Sequence, residues 1–201
     1  KALKVTAISM VNRLLCSLSH KIILPSDRAY NALSRARTNP ARYAKINLLF
    51  ADEARSDQIN QSRFFIAYIG TIAEDHAFGE FVQLMHASIS NKTLLPFQFL
   101  IATRSNMPEK LSAVIDQGVS SGRLVVQCGS PMTNNQINDF YAQSFVVWNA
   151  YKRSMQSGVL PKAYMFGTPV LMSASNQSEY FEDGVHGALI SHRNPFGETH
   201  G

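Results

Sequence analysis

Residues 64–70 read Phe-Phe-Ile-Ala-Tyr-Ile-Gly. An unbroken apolar run of this length, closed by glycine, is typical of a strand that is buried on both faces. Such strands occur in parallel sheets whose faces are covered by helices. The stretch therefore predicts the first strand of a parallel α/β sheet, and the segments after it repeat the pattern.

Downstream of this run, apolar strands alternate with amphipathic helices. The predicted helices cover residues 77–90, 108–118 and 134–143, with a last helix that starts at Ser157 or Gly158. The predicted strands cover residues 95–102, 124–127, 144–148, 169–172 and 187–191. This alternation predicts βαβ units and one parallel, Rossmann-like sheet flanked by helices. Ligands bind such sheets at the carboxyl ends of the strands, so the loops that follow the strands are the candidate sites.

The N-terminal part follows a different pattern. Residues 5–18 predict an amphipathic helix, residues 21–24 a short strand and residues 27–37 a helix with Ser26 as its N-cap. Residues 51–62 are polar and lack periodicity, which predicts a linker. We therefore expect an α/β segment before the linker and the main sheet after it.

Positive charge is concentrated near the N-terminus. The net charge is +5, but residues 1–55 hold ten Lys and Arg against three Asp and Glu. Residues 56–201 hold nine against eleven. Such a basic segment is either a solvated helical face or a surface for an anionic partner, and we expect peripheral contact of residues 1–45 with an anionic membrane. Aromatic residues do not interleave the basic ones, which argues against nucleic acid.

The chain lacks the sequence motifs of several common nucleotide-binding and catalytic sites. No G-x-G-x-x-G follows a strand, and the chain contains no Walker loop, G-x-S-x-G elbow or H-E-x-x-H. Cys16 and Cys128 lie far apart in the sequence and match no zinc-binding or redox spacing, so we expect two buried or free thiols in a reducing compartment. His76 lies in a loop after the first strand, but an isolated histidine is more often an ordinary residue than a metal ligand. No metal or other cofactor is expected.

The start of the last helix has the composition of an anion site. The first N–H groups of a helix have no partner within the helix, and Gly158 allows a ligand to approach the backbone. Pro161 is tolerated in a first turn, while Arg153 and Lys162 add positive charge. Phosphate fits such a site. The alternative is a helix start that is capped by Ser157 and needs no ligand.

Several stretches together resemble the donor-binding half of a family 4-type (group 1) retaining glycosyltransferase with the two-Rossmann GT-B fold. The stretches are Ile22–Ser26, Phe65–Thr71, Leu124–Tyr141, Gly167-Thr-Pro-Val170 and Glu179 followed by Asp183-Gly-Val-His-Gly-Ala-Leu189. In order they cover most of residues 20–192. The resemblance implies a remnant of the acceptor domain and crossover at 1–50, a linker at 51–62 and a donor-binding domain at 63–201. Since the first residue is Lys, we expect a fragment.

The resemblance also implies a function. It implies binding of a nucleotide-diphosphate sugar and retaining, hexosyl-type transfer to a glycan or lipid-linked acceptor in polysaccharide or glycoconjugate biosynthesis, although the isolated fragment would be inactive. The implied location is the cytoplasm, at the inner face of the membrane. One alternative is a catalytically inactive nucleotide-sugar or glycan-binding module. Another is a sugar-nucleotide epimerase, for which Glu74, Asp75, Glu179 and Glu182 are generic candidate carboxylates.

The resemblance assigns the candidate residues as follows. The donor diphosphate is expected at Gly70, Thr71, Ser154, Gln156, Ser157, Gly158 and Val159. The nucleotide base is expected at Gly129, Ser130 and Met132, and the sugar at Asn149 and Tyr151. Arg153 and Lys162 are the candidate catalytic residues, which would neutralise the leaving phosphate without a metal.

Two departures from the family pattern concern this site. The family commonly has two glutamates eight positions apart, where this chain has Ser154 and Lys162. A lysine cannot accept hydrogen bonds from ribose hydroxyls as a glutamate does. The lysine that often follows the first strand is replaced by Asp75-His76-Ala77. The donor is therefore expected to be held differently, or activity to be lost.

Overall fold

The computed structural model describes residues 2–33, 39–46, 50–59, 61–90, 96–152 and 157–191. The chain divides into two compact units, an N-terminal unit, Lys1–Phe50, and a C-terminal unit, Ala51–Gly201. The division falls beside the boundary that the sequence predicts at residue 50.

In its described residues, the N-terminal unit contains two short parallel strands and two α-helices. Its elements are α1 (Ala2–Leu18), β1 (Ile22–Leu24), α2 (Asp27–Ala32), a 3-10 turn (Pro40–Arg42) and β2 (Tyr43–Lys45). Ser26 is the N-cap of α2, as predicted, and its hydroxyl accepts the Ala29 N–H at 3.0 Å. The Arg42 guanidinium donates to the carbonyls of Ser17 and Ser19 at 2.8 and 2.7 Å. The guanidinium thereby provides hydrogen-bond donors for carbonyl groups at the C-terminal end of α1, and its positive charge complements the helix dipole.

The C-terminal unit alternates strands and helices. Its helices are α3 (Ser56–Ile59), α4 (Phe78–Ser90), α5 (Ser112–Ser120), α6 (Asn134–Ala142) and α7 (Val159–Met165). Its strands are β3 (Phe65–Ile69), β4 (Gln98–Ala102), β5 (Leu124–Gln127), β6 (Ser144–Asn149), β7 (Val170–Ser173) and β8 (Gly187–Ile190). Turns of 3-10 helix cover Glu74–His76, Glu109–Leu111 and Ala174–Asn176.

The six strands form one parallel sheet in the order β5-β4-β3-β6-β7-β8. This is the order of a doubly wound, Rossmann-like fold, so the predicted fold class is confirmed. The strand order reverses between β3 and β6: the strands that follow β3 in the chain are added on one side of it, and those that follow β6 are added on the other side of the sheet. A crevice is expected at the carboxyl ends of these two strands, and it directs attention to the loops after them.

Strand β3 shows why its sequence is apolar throughout. All five residues are buried, with Phe65, Ala67 and Ile69 in one core and Ile66 and Tyr68 in the other. The first core includes side chains of α6 and α7, and the second includes side chains of α4 and α5. A strand between two helical layers has no face for water, so alternation of apolar and polar residues is lost.

The segment predicted as a linker is partly packed. Residues 56–59 form α3, and Gln58 is only 1% exposed. Its side-chain N–H donates to Asp139 Oδ1 at 2.6 Å, and Ala54 packs against the core of the C-terminal unit. A polar segment can pack in this way when its buried polar groups find partners.

A few element bounds differ from the prediction. Strand β2 was not predicted, because Tyr43-Ala-Lys45 lacks an apolar run like the one that predicts β1. Helix α2 ends at Ala32 rather than residue 37, and residues 34–38 lie outside the described residues. Strand β4 begins at Gln98 rather than at residue 95.

Candidate functional site

The loops after β3 and β6 touch each other at the reversal of strand order. A Cβ placed on Gly70, just after β3, would lie 3.8 Å from the Tyr151 hydroxyl, just after β6. The Lys152 N–H donates to the Asp75 carbonyl at 2.8 Å. Two predicted site residues, Gly70 for the diphosphate and Tyr151 for the sugar, are therefore brought together.

His76 joins this contact; its sequence position predicts a loop that could bind a ligand, but it was not among the predicted site residues. Its ring stacks on that of Tyr151, with centroids 4.1 Å apart and an interplanar angle of 13°. His76 Nδ1 lies 2.8 Å from the Thr71 carbonyl, so the hydrogen-bond network assigns the proton to Nδ1. The Trp148 indole N–H donates to the His76 carbonyl at 3.3 Å. The position of His76 after the first predicted strand was the available signal.

Tyr151 presents a protonated phenol at this point. Burial raises its pKa, a hydrogen bond with the Ser157 side chain works in the opposite direction, and the charge of Asp75 raises the pKa further. A phenol that keeps its proton can both donate and accept a hydrogen bond. The ring thus covers one side of Gly70 and offers a polar group there.

Asn149, at the end of β6, has an unsatisfied side-chain oxygen. The residue is 6% exposed, and Oδ1 has no hydrogen-bond partner in the described part of the chain. Its backbone carbonyl accepts the Tyr151 N–H at 2.9 Å. Buried polar atoms without partners are rare in native proteins and need an explanation. A ligand hydroxyl that donates to Oδ1 would supply one, and the sugar-binding role of Asn149 stays a prediction.

An open cleft lies beside these residues. It has a volume of about 460 Å³ and is lined by Glu74, Asp75 and Lys152. The Lys152 ammonium pairs with Glu80 Oε1 at 2.7 Å. Among the described residues, the lining of the cleft therefore holds two carboxylates and one ammonium group.

Lys162, which was predicted to neutralise the leaving phosphate, forms an ion pair with Glu53. Its ammonium lies 3.0 Å from Glu53 Oε2, and its side chain is 17% exposed. The hydrogen bond and the charge of Lys162 lower the pKa of the Glu53 carboxyl. The Asn138 side-chain N–H also lies near Glu53 Oε2, at 3.4 Å. This pairing argues against the predicted role of Lys162 as the residue that neutralises the phosphate.

The beginning of α7 offers fewer free N–H groups than predicted. The Val159 N–H donates to Ser157 Oγ at 3.1 Å, as in the alternative of a capped helix start. Gly158 is the N-cap and has ordinary right-handed backbone angles. The other predicted residues of this stretch, Arg153, Ser154 and Gln156, lie outside the described residues.

The predicted base-binding residues lie further along the sheet. Gly129, Ser130 and Met132 follow β5, and one strand, β4, separates β5 from β3. Strand spacing places the ends of β5 and β3 roughly 10 Å apart. Thr133 and Gln136 form a capping box at the start of α6. The capping box anchors the loop that is predicted to bind the base, and Met132 packs partly against the core.

The described side chains also bear on metal binding. Among residues 2–33, 39–46, 50–59, 61–90, 96–152 and 157–191, no three His, Cys, Asp or Glu side chains lie close enough to hold a metal ion. The acidic cleft therefore lacks a full set of metal ligands of these types within the described chain.

Comparison with solved structures identifies similar folds. The pneumococcal O-GlcNAc transferase GtfA, solved with UDP and GlcNAc, is 15% identical over 89% of this chain and 35% of its own, with a TM-score of 0.64. The Anabaena protein HepE, solved with UDP, is 13% identical over 89% of this chain and 52% of its own, with a TM-score of 0.67. The C-terminal domain of LpcC from Francisella tularensis, a glycosyl transferase group 1 family protein, is 17% identical over 69% of this chain and 75% of its own, with a TM-score of 0.53.

The chain thus spans about a third of GtfA and about half of HepE. At these identities the likeness shows the fold alone. No curated protein matches the chain. The sequence profile of the glycosyl transferases of group 1, however, matches residues 63–197, which is most of the C-terminal unit. The chain belongs to the group 1 glycosyltransferases.

Proposed function

We propose that the C-terminal unit binds a nucleotide-diphosphate sugar at the carboxyl ends of β3 and β6. The protein would transfer the glycosyl group, with retention and from a hexosyl-type donor, to a glycan or lipid-linked acceptor in polysaccharide or glycoconjugate biosynthesis. The observation that carries this proposal is the buried Asn149 Oδ1 at the reversal of strand order, which has no hydrogen-bond partner among the described residues. Membership of the group 1 family supports it.

Each part of the donor has a proposed place. The sugar hydroxyls would meet Asn149 and Tyr151. The residues proposed for the diphosphate are Gly70, Thr71, Ser154, Gln156, Ser157, Gly158 and Val159, and those for the base are Gly129, Ser130 and Met132. UDP is present in the structures of GtfA and HepE, and we propose a uridine nucleotide as the first candidate here. We propose no metal cofactor, since protein groups can supply the positive charge that the leaving diphosphate needs.

The test is a titration of the 201-residue chain with UDP, GDP, ADP and dTDP, followed by backbone amide shifts. At least one nucleotide should shift the amides of Gly70, Thr71, Asn149 and Tyr151. At a hundredfold excess over its dissociation constant, it should also stabilise the fold by about 2.7 kcal/mol. If none of the four nucleotides shifts these amides or raises the melting temperature, the proposal is wrong.

A second candidate is a nucleotide-sugar or glycan-binding module without catalysis. The pairing of Lys162 with Glu53 and the acidic lining of the cleft favour it, because both reduce the positive charge available to a leaving phosphate. An assay of the protein for hydrolysis or transfer from the donor distinguishes the two candidates. Turnover would exclude the non-catalytic module, whereas binding without turnover would favour it.

The N-terminal unit is proposed to contact an anionic membrane from the cytoplasmic side. It holds nine Lys and Arg against a single Asp. Helix α1 exposes Val11, Leu14, Leu15 and Leu18, each more than half accessible to solvent. Such a helix can lie in the lipid interface with its apolar stripe buried. In the described part of the chain, no helix combines the length and apolarity needed to cross a membrane.

A further inference from the structure

A diphosphate at the carboxyl edge of the sheet needs positive charge that is not already neutralised. Lys152 pairs with Glu80 at 2.7 Å, and Lys162 pairs with Glu53 at 3.0 Å. Glu74 and Asp75 add negative charge to the cleft. The two described lysines that follow β6 are therefore poor candidates for the phosphate contact, and a described cation without a carboxylate partner is a better one.

Arg104 meets this requirement. It follows β4 by two residues and is exposed to solvent. Among the described residues, the Arg104 guanidinium makes no hydrogen bond and no ion pair. The same holds for Lys110, which lies six residues further along the same connection. Arg104 is the closer of the two to the end of the strand.

The loop that carries Arg104 is fastened to the loop after β3. Strand pairing places Ala102 beside Ile69, the last residue of β3. The Ser105 N–H donates to Thr103 Oγ1 at 3.0 Å, and Thr103 is fully buried. Ser105 Oγ in turn accepts the Ile72 N–H at 3.1 Å. Arg104 therefore stands between two anchored residues, next to the proposed diphosphate position at Gly70-Thr71.

We propose that Arg104 is the residue that binds the phosphate groups of the nucleotide ligand. A guanidinium presents several N–H donors in a planar fork that matches two phosphate oxygens. An exposed guanidinium without a carboxylate partner keeps this capacity. Its charge would offset part of the negative charge of Glu74 and Asp75, which line the cleft. This assignment rests on the proposed function and replaces Lys162 as the principal phosphate contact.

The experiment compares Arg104→Met with Lys110→Met in the 201-residue chain. Both changes remove one exposed cation from the connection after β4, so the net charge falls equally. Calorimetry measures the affinity of each variant for the nucleotide that binds the wild-type chain and for its uncharged nucleoside. Arg104→Met should weaken nucleotide binding roughly tenfold or more, the usual size of a charge-assisted contact. Lys110→Met should change it little, and nucleoside affinity should be the same in all three proteins. Arg104→Lys should recover part of the loss, since it restores charge without the fork.

The possible results separate the two proposals. Equal nucleotide affinity of wild type and Arg104→Met would overturn the assignment of Arg104 and leave the proposed function standing. An equal loss in Lys110→Met would also overturn it, because net charge would then explain the effect. A loss of nucleoside affinity in Arg104→Met would point to local damage and count against it too. If the wild-type chain binds none of the nucleotides, the proposed function fails, and the role of Arg104 fails with it.

Discussion

At the scale of single residues, Gly187 shows how closely the last strand is packed. It begins β8 and pairs with Val170 of β7. Its φ of +145° lies in a region that residues with side chains rarely adopt. A Cβ at this position would lie 1.9 Å from the Val170 carbonyl oxygen, which is backbone and cannot rotate away. The strand that follows the Asp183-Gly184 turn therefore has to begin with glycine at position 187.

We expect Gly187→Ala to lower the free energy of unfolding by about 3 kcal/mol, because it adds a steric clash to an unfavourable φ. Chemical denaturation of the 201-residue chain measures this. Gly184→Ala is the matched control: its φ is +79°, but nothing lies within 4 Å of the added Cβ. It should cost only about 1 kcal/mol. Equal losses in the two variants would show that backbone angle, and not the contact with Val170, decides the effect.

At the scale of elements, the segment after the N-terminal unit is held by polar side chains on two helices. Glu53 pairs with Lys162 of α7, and Gln58 bonds to Asp139 of α6. The first pair predicts a pH dependence. Because Lys162 lowers the pKa of Glu53 in the folded state, the pair stabilises the fold fully above the ordinary carboxyl pKa of 4.5. This contribution is lost as the pH falls below 4.5 through the lowered pKa.

We therefore expect Glu53→Gln to lower the melting temperature at pH 7 and to converge on the wild type as the pH falls below about 4.5. Thermal melts from neutral to acid pH measure the difference between the two proteins. Asp57→Asn is the control, because Asp57 pairs with Arg55 at 3.3 Å on an exposed surface. An exposed pair contributes little, so that variant should differ only slightly at any pH. A constant difference between Glu53→Gln and the wild type across this range would contradict the assigned ion pair.

A comparison of the helices and strands with the sequence shows which of them the local sequence pattern predicts. The strands of the main sheet were predictable because burial on both faces leaves continuous apolar runs. Helix α3 was missed because four polar residues carry no readable period, and strand β2 because Tyr43-Ala-Lys45 lacks the apolar run that predicts β1. For the site, the ends of β3 and β6 place Gly70 beside Tyr151, while the roles of these two residues stay predictions. The partner of Lys162 was not predictable, because Glu53 lies 109 residues away in the chain and only the fold makes them neighbours.

At the scale of the whole molecule, charge is divided between the two units. The N-terminal unit has nine Lys and Arg against one Asp, whereas the C-terminal unit has ten against thirteen Asp and Glu. Each basic residue close to an anionic lipid surface contributes about 1 kcal/mol. Electrostatic attraction alone would vanish at high salt. The apolar stripe of α1 adds a contribution that salt does not screen, and the two can be separated.

A double substitution, Leu14→Gln with Leu18→Gln, tests the membrane proposal without altering the charge. Both side chains are exposed, at 59% and 70%, so the fold should keep its stability. If the stripe enters the lipid interface, each lost side chain removes roughly 1.5 kcal/mol of burial, and binding to anionic vesicles should fall at least tenfold. Ser9→Gln with Asn12→Gln, on the polar face of the same helix, should leave binding unchanged. Equal binding by both variants would mean that charge alone holds the chain to the vesicle, and α1 would then need another partner for its exposed leucines.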